Sequence, residues 1–113
     1  MANKRIEESI TEAKEALDSI DRLGRTAFDI CDGVLENNKA FVHDKVVYEK
    51  IVKKEQEVYN EYQRRINEAR TRLKNNDPYY QWGEGLEYYM KLRRWKSLEM
   101  ISFWDRLSKE HDI

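Results

Sequence analysis

The sequence has one proline and four glycines in 113 residues. So few breakers exclude a fold of many short strands and turns. Its one cysteine, Cys31, leaves nothing for an internal disulfide. The opening residues, MANKRIEES, show no leader-like pattern, so a reducing, cytoplasmic setting is expected. The two histidines, His43 and His111, stand apart from each other and from Cys31; no metal site is expected. Walker, G-x-G-x-x-G, G-x-S-x-G, C-x-x-C and Glu-x-x-His patterns are all missing. No cofactor is therefore expected, and the chain reads as a non-enzyme. No apolar run exceeds three residues, whereas a membrane span needs ~20. A net charge of −1 supplies no general pull toward DNA or an anionic membrane.

What is present is charge and ring. Charged residues make up 38% of the chain and mean hydropathy is −0.96, close to disordered compositions, but 12% aromatics argue for a packed core. The length suits one domain. Charge is unevenly placed: net −4 over residues 1–37, +4 over 38–76 and −1 over 77–113. Opposite signs in neighbouring segments favour packing of the first segment on the second.

Periodicity predicts three helices, about 4–35, 44–74 and 84–109. In the first, Ile6, Ile10, Ala13, Leu17 and Ile20 follow steps of four and three, a narrow apolar seam with charged flanks, including Glu8, Glu12 and Glu15 as a solvated acidic face. Gly24, Ala27, Cys31 and Val34 continue that register, so the helix is expected to run on to about Leu35, at most kinked at Gly24. A break there would make four helices. The second helix has Val47, Ile51, Val58, Tyr62, Ile66, Ala69 and Leu73 on one face, with Asp44 as its cap. At 1.5 Å per residue it would be about 45 Å long, longer than a compact bundle of this size requires, and the overhang suggests a homodimer. Asn75-Asn76-Asp77-Pro78 stops it.

The third helix and its approach carry eight of the thirteen aromatics between Pro78 and Leu107. Leu86, Tyr89, Met90, Met100, Ile101, Trp104 and Leu107 make one broad face; Tyr88, Leu92 and Trp95 lie roughly opposite. A helix apolar on two sides is covered on two sides. The expected fold is thus all-α, an antiparallel helical bundle closed by an aromatic C-terminal helix whose second side meets another copy or a target.

Within that helix Lys91, Arg93, Arg94 and Lys96 surround Trp95. Trp, Tyr and Arg dominate protein-binding hot spots, so Tyr88, Arg93, Arg94 and Trp95 are the candidate partner anchors. The same cations, with Arg64 and Arg65 and the stacking rings Tyr79, Tyr80 and Trp82, are the candidate ligand or phosphate contacts of the alternative, a nucleic-acid or nucleotide binder. Against it, the four cations spread around the helix instead of forming a stripe, and long basic side chains commonly just cover apolar surface. For Arg64 and Arg65, support from Glu61 and Glu68 one turn away is the simpler role. The rings at 79–82 plug the bundle end on the plainer reading. The expected function is a small helical adaptor or inhibitor that occludes a partner protein, in the style of small phage and bacterial proteins.

Overall fold

The seam Ile6–Ile10–Ala13–Leu17 folds as α1 (Lys4–Asp18), with all four side chains buried. The computed structural model describes residues 4–76 and 82–110, and the side chains of residues 4–71 and 87–110. Tyr79, Tyr80 and the side chain of Trp82 lie outside the described residues. Among these residues the chain is all-helical, and no helix is long and apolar enough to cross a membrane.

The first helix does not continue to Leu35. The Ser19 hydroxyl donates back to the Glu15 carbonyl at 3.0 Å, a local bond that competes with the helical ladder. A four-residue helix α2 (Ile20–Leu23) follows, and Gly24 then takes φ 59° and ψ −138°. Glycine alone adopts such a left-handed backbone at little cost. The chain reverses there into α3 (Thr26–Asn38). α3 packs along α1, joining Phe28, Cys31 and Leu35 to the α1 seam. Small residues at Ala13, Ala16, Ala27 and Cys31, all buried, let the two helices approach closely. Arg5, near the start of α1, lies 4.3 Å above the Phe41 ring beyond the end of α3, which ties the hairpin shut.

A 3₁₀ turn (Lys39–Phe41) leads to Asp44, whose Oδ1 accepts from the Val46 and Val47 amides at 2.8 and 3.2 Å. That is the expected cap, and it starts α4 (Lys45–Asn76). At 32 residues, α4 is about 48 Å long. The last helix is α5 (Trp82–Glu110).

α5 is the hub, in contact with α1, α3 and α4. Lys54 of α4 meets Glu99 of α5, whereas Arg65 lies over Trp95, so the two helices run in opposite directions. The expected packing of the first segment on the second is replaced. α1 packs on α3, and α4 packs on α5. Opposite charges meet mainly inside α4 and across α5, as in Lys14–Asp105 at 3.9 Å and Arg93–Asp32 at 3.3 Å.

Two apolar clusters result. The larger gathers α1, α3, the first half of α4 and the second half of α5 around Trp104, which is 1% exposed. The smaller joins Tyr62 and Ile66 of α4 to Leu92 of α5, with Tyr89 and Trp95 beside them. Because the α1–α3 hairpin is much shorter than α4, the molecule measures 56 × 30 × 18 Å with a radius of gyration of 16.2 Å. A compact domain of this length would have about 13 Å.

Candidate interaction surface

The second apolar side of α5 is covered by this chain itself at Leu92 and Trp95 but not at Tyr88, which is exposed. Leu92 is buried against Tyr62 and Ile66, and Trp95 is partly buried between the two clusters with the Arg65 guanidinium 4.3 Å from its ring centre. The expectation that Trp95 faces away from its own core is corrected. Its ring packs on α4 because the α4 seam turns toward α5 and not toward α1.

Arg93 is corrected likewise. Its Nη2 donates to Asp29 Oδ1 at 3.2 Å and Asp32 Oδ2 at 3.3 Å, both on α3. Its guanidinium lies 5.4 Å from the Phe28 ring centre, and its Nε is buried with no partner among the described residues. Ser97, fully buried, donates to Asp32 Oδ1 at 2.9 Å. Arg93 is a clasp between α3 and α5. Tyr62 and Tyr89 extend this network. Burial and the neighbouring Tyr89 hydroxyl push the Tyr62 phenol up. Hydrogen bonds from Tyr62 and Arg93 hold that of Tyr89 down.

The other basic candidates are dispersed. Arg64 is exposed and pairs with Glu61 and Glu68, both at 2.6 Å. Arg65 donates to Glu61 at 2.7 Å. Between them these two guanidinium groups hold the Glu61 carboxyl down to about 2. Lys91 lies 4.0 Å from Glu87, and Lys96 lies 5.2 Å above the Tyr62 ring. Of the anchors expected on α5, Tyr88 and Arg94 alone are exposed.

Among the described residues large apolar side chains are exposed on α3 (Ile30), on α5 (Tyr88 and Leu98) and, in the greatest number, on α4 (Val46, Tyr48, Val52 and Tyr59). Tyr48, Val52 and Tyr59 are 40%, 44% and 49% exposed, and their spacing of four and seven puts them on one face. Val52 and Tyr59 form one wall of a groove of about 360 Å³, with Asp32, Leu35 and Glu36 of α3 opposite and Lys96, Met100 and Trp104 along its base. Lys39 straps the groove at one end, reaching Glu36 at 2.6 Å and Glu55 at 3.0 Å. That hydrogen bond holds the Glu36 carboxyl down, while burial pushes Glu55 up. A second hollow of about 340 Å³ between α1 and α5 exposes Leu98, but Lys14, Asp18 and Asp105 line it.

The sequence carries a signal for the α4 row, the 48–52–59 spacing, which the denser rings after Pro78 overshadow. Cys31 is buried, and burial, then the Asp32 charge, push its thiol up to about 11, unsuited to nucleophilic work. Among the described residues no three His, Cys, Asp or Glu side chains are grouped to hold a metal. No protein family, curated protein or solved structure matches this chain.

Proposed function

We propose that the protein is a non-enzymatic interaction module, an antiparallel helical bundle that binds another protein chain as an adaptor or an occluding inhibitor. The outer face of α4 and the adjoining groove are its docking surface. The observation that carries this reading is the row of Tyr48, Val52 and Tyr59, all more than a third exposed and aligned on one face of α4, with Val52 and Tyr59 lining the groove. Tyrosine is among the residue types enriched at interface centres.

Affinity purification from the protein's own cells, followed by native mass spectrometry, tests it. The wild type is expected to carry a defined added mass, either another protein or further copies of the chain. Tyr59→Glu, which keeps the fold because Tyr59 is half exposed, should lose that mass. Retention of the full added mass by a folded Tyr59→Glu protein would rule out this face as the docking surface.

A further inference from the structure

We infer that the groove between α3, α4 and α5 is a binding site for a small amphipathic carboxylate, with its head on Lys96 and its apolar tail along Met100 and Val52. The site needs one copy of the chain and no protein partner, so the inference goes beyond the interaction-module reading and does not rest on it.

At about 360 Å³, the groove falls within the range of small-ligand pockets, about 300–1,000 Å³, which combine an apolar lining with a few placed polar groups. Leu35 of α3, Val52 and Val58 of α4, and Met100 and Trp104 of α5 supply the apolar part. Lys96, Met100 and Trp104 follow one another at steps of four along α5, so the floor runs about 12 Å at 1.5 Å per residue. A charge stands at one end of that row and apolar side chains follow it. A straight-chain acid of medium length has the same order.

The charges around the groove decide the sign of the head. Asp32 accepts from Ser97 at 2.9 Å through Oδ1 and from Arg93 at 3.3 Å through Oδ2. Glu36 and Glu55 are held by Lys39 at 2.6 and 3.0 Å. Of the charged residues that line the groove, Lys96 alone has no ion-pair partner among the described residues. Its ammonium lies 5.2 Å above the Tyr62 ring, a contact that leaves N–H donors for an anion. Lys96 is half-buried, and a charge partly removed from water is stabilised by a counter-ion.

The acids do not oppose such a head strongly. Asp32, Glu36 and Glu55 stand against Lys39, Arg93 and Lys96, three against three; Asp29, which shares Arg93, lies outside the lining. The acid pair is also set apart from the head. Tyr62, beneath the Lys96 ammonium, is seven residues beyond Glu55 on α4, about 10 Å along the helix.

Octanoate, 1-octanol and octylammonium share a tail and differ in the head, and NMR titration of the full chain with each tests the site. Octanoate should bind saturably below its micellar range, shift the Met100 and Val52 methyl signals, and bind more tightly than octylammonium. Lys96→Met should weaken octanoate by at least about tenfold and leave octanol unchanged, whereas Lys96→Arg, which keeps the charge, should retain octanoate. Val52→Asp, on the exposed wall, should weaken both octanoate and octanol. Octylammonium binding ahead of octanoate, or octanoate binding untouched by Lys96→Met, overturns the inference. Shifts confined to Leu98 and Ile101, which place the ligand in the other hollow beside Lys14, overturn it as well, and so does the absence of saturable binding. None of these results bears on the association probed with Tyr59→Glu, so the two readings fail separately.

Discussion

The two clusters along α5 are built differently. Around Trp104 the chain has aliphatic side chains from four helices closing on one ring, and Ile6, Phe28, Ile51 and Cys31 have no solvent exposure. Around Leu92 there are two helices, one leucine, one isoleucine and several rings with polar tips, steadied by Arg65 over Trp95 and Lys96 over Tyr62. The first region is stable through the area it removes from water. The second has too few helices to bury its rings fully, so cations lie on their open faces, where each contact adds about 0.5–1 kcal/mol. Arg93 joins the regions, at the point where the α1–α3 hairpin stops covering α5.

The largest expected effect comes from the four-helix end. Trp104→Ala should cost about 4 kcal/mol, a large part of the stability of a domain this size, and urea denaturation would register it as partial or complete loss of the folded state. Leu92→Ala should cost about 2 kcal/mol, and amide exchange should rise first in the segments around Tyr62 and Leu92. Equal acceleration around Trp104 would show that the two clusters open as one.

Arg93→Met leaves Asp32 without its cationic partner but keeps the apolar stem over Phe28. A loss of about 2 kcal/mol is expected for this partly buried pair. A double-mutant cycle with Asp32→Asn should give non-additivity, because both substitutions break one interaction.

Alkaline pH probes the larger cluster through Cys31. Its folded-state pKa of about 11 lies above the ordinary thiol value, so the unfolded chain loses this proton first as pH rises. The contribution is complete below the unfolded value and declines toward pH 11, and thiol reagents at pH 8 should modify Cys31 only after unfolding. Rapid modification of the native protein would contradict its burial. Smallest of all is Glu61→Gln, where exposed ion pairs to Arg64 and Arg65 are removed; no measurable change in the denaturation midpoint at neutral pH is expected.

Much of this was legible from residue spacing. The α1 seam, the cap at Asp44 and the two-sided character of α5 all follow from steps of three and four or from a side-chain oxygen ahead of a helix. The reversal at Gly24 was not, because small residues at 24, 27, 31 and 34 keep the heptad register whether the helix continues or folds back. Packing of Phe28 against α1 and α5 decides between the two. Nor could periodicity say which helix the α4 seam meets. Tyr62 and Ile66 serve equally well against α1 or α5, and only the shortness of α1 leaves them to Leu92 and Trp95. That choice turned Arg93 and Trp95 from expected binding residues into internal ones, and left Tyr48, Val52 and Tyr59 as an exposed row on α4.

The central claim is that the protein meets its partner through α4 and not through α5, and tyrosine footprinting tests it most directly. Surface labelling of the associated protein is compared with that of the dissociated protein, tyrosine by tyrosine. Protection of Tyr48 and Tyr59 on association, with Tyr88 labelled equally in both states, is the predicted result. Protection of Tyr88 with Tyr48 and Tyr59 unchanged would contradict the account and return the interface to α5.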